Sequence, residues 1–362
     1  MREAEEKYFA NASALHTPGH HAMNQIGECR ERLANLIGAH PDEIIFTSGA
    51  SESNNTVIHT YEGCEIETSA YEHHSLIEAA KFYRGHNLPK LYSCMLANNE
   101  IGDLLELPTI DHTKITEKDH VNWSLLDIKN DWGKPLVTDK RHSYLHSDLT
   151  QVLGKLPINV NTLGLDYATF SAHKIGGPIG VGALYVRRGA PFRPLIIGGN
   201  QENKRRGGTY NTIGIIGFSV ALKNIIQNHT YNIYDTCIRN LRDTLAHRIL
   251  KEIPGSSLNT NLAHSLPNIL NVSFHAAEGE SIQLYLDAEG IIVSTGSACA
   301  AGDTKPSHVL MAKTNDAEVA HSSIRFSFGP DNTISDVNKV MSILPRIISH
   351  LQGMSTIDKL DG

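Results

Sequence analysis

The chain has 362 residues, 40% of them hydrophobic and 20% charged, and carries a net charge of −7. That length exceeds one ordinary core and predicts one large and one smaller domain. The mild acidity and the lack of a long lysine and arginine block speak against a nucleic-acid track, and no apolar run approaches a membrane span.

The N-terminus, "MREAEEKYFA", is charged and has no apolar signal core, so a cytoplasmic protein is expected. Residues 20 to 38 place Met23, Ile26, Leu33 and Ile37 near helical spacing and end on glycine, which predicts an amphipathic helix. Ile44 to Phe46 reads as a short buried strand, "TSGAS" as a tight turn, and Glu52 onward as the start of a helix. The pattern recurs in "KLYSCMLANNEIG", "YLHSDLTQVLG", "YATFSAHKIGG" and "VGALYVRRG". Strands alternating with helical segments predict an α/β architecture on a mostly parallel sheet, in which ligands bind at the carboxyl ends of the strands. Those ends carry Ser48 to Ser51, Asn98 to Glu100, Asp148 and Lys174. The stretch from Asp103 to His142 is polar and reads as a surface insertion. Two long helical stretches follow residue 213, then a smaller α+β unit with "LPNILNVSF", "GIIVSTGSACAAG" and "SSIRFSFG"; in the last helix Pro345 predicts a kink or an end. The domain division expected is 13–228 for the large domain and 229–362 for the small one, with residues 1–12 packing on the small one.

The five cysteines, Cys29, Cys64, Cys94, Cys237 and Cys299, form no close pair, and the 20 histidines show no metal-binding spacing. Neither a disulfide framework nor a metal site is expected. Lys174, at the end of an apolar strand, reads as a buried amine; desolvation disfavours its charged form, and a neutral amine can form a Schiff base. Taken alone it could be a surface lysine. Asp148 suits a pyridinium nitrogen and equally a helix N-cap before "LTQVLG". Gly49, Ala50 and Ser51 offer backbone amides at a helix N-terminus, which suits a phosphate. Cys299, within "STGSACAAGD", has small polar neighbours, the reverse of a packed core thiol.

"FTSGASESNN", "EHHSLIEA", "NNEIG", "HSDLTQVLGKLPI", "FSAHKIGGPIGVGALYVRRG", "LPNILNVSF", "STGSACA" and "SSIRFSFG" resemble, in order, the motifs of the NifS/IscS-type cysteine desulfurases. These belong to the class V aminotransferase group and have the aspartate aminotransferase-like fold, with a large domain on a mostly parallel mixed sheet and a smaller α+β domain. The resemblance implies pyridoxal 5'-phosphate as cofactor and Lys174 as its Schiff-base lysine. It implies that His73 stacks on the ring and assists proton transfer, while Asn99 and Gln151 bond its phenolic oxygen. Ser51, Ser171 and His173 would hold the phosphate, joined in a homodimer by Thr209 reaching the partner's cofactor. Arg325 would pair with the substrate carboxylate, with Asn11 nearby, and Cys299 would take sulfur from L-cysteine as a persulfide. A sulfur acceptor such as an iron–sulfur scaffold, or a route to thio-cofactors or thiolated tRNA, is the implied partner. Selenocysteine lyase or another class V pyridoxal phosphate enzyme, and a non-catalytic scaffold in sulfur transfer, are the alternatives. The chain departs from typical relatives in being shorter between His73 and Asn99 and longer over Asp103 to His142.

Overall fold

The computed structural model describes residues 1–109, 143–228, 230–295 and 306–354. These residues form two compact units, one drawn from 1–96 and 105–229 and the other from 97–104 and 230–362.

The first unit holds helices α1 (Arg2–Lys7) and α2 (Thr17–Ile37), strand β1 (Ile44–Thr47), α3 (Ala50–Thr60), β2 (Cys64–Thr68), α4 (His74–Tyr83), β3 (Asn87–Ser93), β4 (Ser143–Asp148), β5 (Tyr167–Ser171), β6 (Gly182–Val186) and α5 (Thr212–Gln227). Helix α1 packs on α5 in this unit, rather than in the second, where the sequence places residues 1–12. The sheet order is β1-β6-β5-β4-β3-β2. Strands β2 to β5 run parallel, and β6 pairs antiparallel with β5 and β1. Every residue of β5 and β6 is buried, the continuous apolar run of a strand covered on both faces. Gly182 is required where β6 passes β1's turn, because a Cβ there would come within 2.7 Å of the Gly49 Cα and 2.6 Å of the Phe170 carbonyl oxygen.

The parallel order β3-β4-β5 sets Asp148 at the end of β4 beside the end of β5, where Asp148 pairs with Thr169 two residues before Ser171. The turn after β1 and the segment after β5 come together around Gly182, so the glycine turn and the "SAHK" segment reach one place.

The second unit contains α6 (Thr230–Ile233), a π-type turn, α7 (Arg239–Glu252), β7 (Ser256–Leu258), β8 (Ile269–Phe274), α8 (Gly279–Ala288), β9 (Ser294–Thr295), α9 (His308–Thr314), α10 (Ala317–His321), β10 (Ser323–Ser327) and α11 (Ile334–Met354). Its sheet, β7-β8-β10-β9, is antiparallel. Helix α11 does not end at Pro345, the second of the two outcomes expected from the sequence. A proline inside a helix costs about 3 kcal/mol, whereas burying one Leu, Ile or Val gives about 1.5–3. Val337, Leu344 and Ile348 are all sunk in this unit's core, so packing outweighs the lost hydrogen bond. Among the described residues no helix is long and apolar enough to cross a membrane.

Candidate active site

Helix α3 begins directly after β1, with Gly49 at its N-cap and no side chain capping it. Its first amide groups, at Ala50 and Ser51, therefore remain available to an anion, in the favourable field of the helix N-terminus. Ser51 is exposed, and buried Ser171, at the end of β5, shares a hydrogen bond of 2.8 Å with His173 Nδ1. A Cβ on Gly49 would stand 4.0 Å from Ser171 Oγ, so the turn and the "SAH" segment face one another across a small gap. Hydroxyls, an imidazole and open backbone amides make a donor set suited to a phosphate.

Lys174 lies one residue beyond His173 in the short helical turn Ala172–Ile175, closed by Gly176 in the left-handed conformation at φ 79°. It is exposed, the surface position that the sequence left open, rather than the buried amine, because it lies in a turn beyond the buried strand. Its charge is felt by His73, His173 and Lys155, whose proton affinities are all lowered, chiefly by burial and in part by this neighbour.

Asp148 is 7% exposed. Its Oδ1 accepts from the Thr150 backbone N–H at 2.9 Å, and its Oδ2 from Asn54 Nδ2 at 2.9 Å. The carboxylate thus caps the following turn, as one sequence reading held, and still keeps lone pairs for a protonated ring nitrogen. Its donors are neutral and fix it without neutralising it. The same Asn54 Nδ2 donates to Ser75 Oγ at 3.1 Å, which in turn meets His73 Nδ1 at 2.9 Å. His73 caps α4 by accepting the Ser75 backbone N–H at 3.1 Å, so its neutral ring carries its proton on Nε2. Asn54 and Ser75 were not singled out from the sequence. "SESNN" shows polar residues on a helix, but only the fold reveals that Asn54 is fully buried.

Next to His73, Glu72 is fully buried and accepts from Ser69 Oγ and from the Met95 N–H, both at 2.6 Å. Burial pushes its carboxyl up to about 8. The native state therefore holds this proton while the unfolded chain loses it, and stability falls as pH rises from about 4.5 towards 8. Glu72→Gln should remove that loss: its thermal midpoint relative to the parent should climb from pH 5 to pH 8, on a scale of about 1.4 kcal/mol per pKa unit. A difference that stays constant across this window would contradict it.

Gln151 is half-buried in the turn after β4. Thr209 is exposed, and with Arg206 it lines a cavity shared with Thr47 and Ser48 of its own chain. Arg206 is tied to Glu52 of α3 through Nε and Nη2, at 2.9 and 3.1 Å. Asn11 is exposed, and its Oδ1 accepts from the Ser13 N–H at 2.9 Å, within its own turn.

Two further residues from the sequence reading belong to the second unit. Arg325, midway along β10, donates from Nη1 to the Asn99 carbonyl oxygen at 2.8 Å. Asn98 Oδ1 accepts the N–H groups of Glu100 and Ile101, which shapes the tight turn presenting Asn99. Glu100, 6% exposed, is pushed up to about 7 by burial, and its Oε2 accepts from Ser307 Oγ at 2.5 Å. Cys299 lies outside the described residues.

An anion cradle, a nearby lysine and a fixed carboxylate match what pyridoxal phosphate requires at its phosphate, aldehyde and ring nitrogen, so the residues present fit the group. Comparison with known proteins points the same way. The chain is 39% identical over 368 residues to the cysteine desulfurase IscS of Dictyoglomus turgidum, covering 98% of this chain and 91% of that protein. The solved NifS-like protein from Rickettsia africae superposes with a TM-score of 0.79 at 28% identity, over 96% of this chain and 94% of the other. SspA, solved in complex with cysteine, gives 0.67 at 28% identity, over 92% and 94%. The aminotransferase class-V family model matches residues 1–340, and with that span and a geometry suited to this family's cofactor, pyridoxal phosphate, the chain belongs to the class-V aminotransferases.

Proposed function

We propose that this protein is a cysteine desulfurase that converts L-cysteine to L-alanine and passes the sulfur to Cys299 as a persulfide. The observation that carries this is the joining of Asp148 to His73 through Asn54 and Ser75, beside Lys174 and the anion cradle. That arrangement stands in a chain whose relatives are named cysteine desulfurases.

Pyridoxal phosphate, when bound, supplies the electron sink for bond breaking next to the amino group. The amides of Gly49, Ala50 and Ser51, with Ser171 and His173, would hold its phosphate, and Asp148 would keep its ring nitrogen protonated. Gln151 and Asn99 would donate to its phenolic oxygen. Lys174 would hold the aldehyde and would move a proton at the substrate Cα. His73, with its proton on Nε2, would face the ring and serve as a second proton carrier. Arg325 would clamp the substrate carboxylate through its planar fork, and Asn11 would join it in holding the substrate. The Cys299 thiolate attacks the substrate sulfur: an S–S bond forms, the S–Cβ bond breaks, and Cβ takes a proton to give alanine.

A homodimer fits this reading, with Thr209 of each chain reaching its partner's phosphate. Ile179 and Ile197, on the segments flanking Lys174 and Thr209, stand 87% exposed, an apolar exposure that a second copy would cover. The persulfide would go to an acceptor protein such as an iron–sulfur scaffold in the cytoplasm, or into thio-cofactor or tRNA thiolation.

The test is the visible absorption of the purified protein before and after L-cysteine, with alanine measured in parallel. A yellow protein whose band L-cysteine perturbs, and which forms alanine, is expected. Turnover of selenocysteine alone would make it a selenocysteine lyase. A protein that stays colourless in added pyridoxal phosphate would make it a non-catalytic scaffold.

A further inference from the structure

Lys155 is an amine that the proposed chemistry leaves unused. It is 5% exposed, at the end of the turn that follows Asp148. Among the described residues its electrostatic neighbour is another cation, Lys174, rather than a carboxylate. Such a group is costly to bury, and an apolar side chain of the same length would fill the space at less cost. Its Nζ donates to the Gln151 carbonyl oxygen at 2.9 Å and, more loosely, to Gln151 Oε1 at 3.4 Å.

Burial and the Lys174 charge lower the pKa of Lys155 to about 7; in its protonated form it has donors and no acceptor, whereas the two ends of a glutamine amide differ only in which one donates. The end of Gln151 turned to protonated Lys155 must therefore be its oxygen, and its NH₂ must turn the other way. We propose that Lys155 is a positioning residue that fixes the orientation of the Gln151 amide, so that Gln151 presents a donor rather than an acceptor to the cofactor's phenolic oxygen. This rests on the reading above that Gln151 serves that oxygen.

A bland alternative exists in the same contacts. A lysine bonding the carbonyl four residues back can simply fasten the end of a turn, here the one closed by Gly154 at φ 78°. That role would stabilise the fold without any dependence on the side chain of Gln151.

The experiment is a double-mutant cycle on the cofactor-loaded protein, read by the pH midpoint of its visible band and by the affinity for pyridoxal phosphate. A donor at the phenolic oxygen favours the more negative form, so its loss should raise the midpoint. Gln151→Leu is expected to raise it by roughly half to one pH unit, and Lys155→Met to raise it in the same direction. In the Gln151→Leu background, Lys155→Met should add nothing to the midpoint or to the few-fold loss of affinity. Lys155→Gln, which can donate or accept, gives a second variant should the methionine protein fail to fold, and the same result is expected of it.

An equal shift from Lys155→Met in both backgrounds would overturn the proposal, since the lysine would then act without the Gln151 side chain. A shift from Gln151→Leu with none from either Lys155 variant would overturn it as well, and would leave the reading of Gln151 intact. No shift from Gln151→Leu would remove that reading, and the role of Lys155 with it.

Discussion

Lys174→Ala should give a folded protein that no longer becomes covalently linked to pyridoxal phosphate on borohydride reduction, and whose turnover of L-cysteine falls by on the order of 10⁴-fold or more. The fold should survive because Lys174 is exposed, in a turn whose shape is set by Gly176 and by the burial of Ala172. The phosphate cradle should survive too, since Ser171, His173 and the Gly49 turn do not depend on the lysine for their contacts. Loss of the linkage would thus report the missing amine rather than a missing site. A variant with an unchanged visible band and borohydride linkage would exclude Lys174 as the anchor.

Cys299→Ala should keep the cofactor's colour and its response to L-cysteine, yet form no protein persulfide and release no sulfide. The reason lies partly in the other thiols. Cys29 is buried and pushed up to about 12, and burial likewise raises Cys64 and Cys94 to about 11. At neutral pH these hold almost no thiolate, the form that attacks sulfur. Cys237 is exposed, but it sits in the π-type turn before α7. Cys237→Ala therefore serves as the control that leaves persulfide formation unchanged. Normal sulfur release by the Cys299 variant would sink the mechanism.

Much of this site could be read from the order of its motifs, because a strand end followed by a polar turn is a local feature that a sequence displays directly. The glycine turn after Phe46, the aspartate closing β4 and the "SAHK" segment after β5 stand where the strand pattern sets them. What stayed hidden was pairing over distance. Asn54 and Asp148 are 94 positions apart, and Arg325 and Asn99 are 226 apart, so no spacing rule connects them. Burial of the two lysines does not follow from their local context. Lys174 follows an apolar strand yet is exposed, while Lys155, in "GKLPI", is the one enclosed. Pro345 does not end its helix for a related reason: a local cost is visible in the sequence, whereas the core that outweighs it is assembled from distant residues.

The single amide of Asn54 serves two masters, Asp148 on one hydrogen and the Ser75–His73 pair on the other. A lineage drifting towards a different reaction on this scaffold could not readily retune the ring-nitrogen carboxylate while leaving the imidazole as it was, since any change at position 54 disturbs both. Diversification would instead fall to positions with one dependent each, such as the segment bearing Cys299 or the strand bearing Arg325. Constraint on two functional groups at once would follow from one shared side chain.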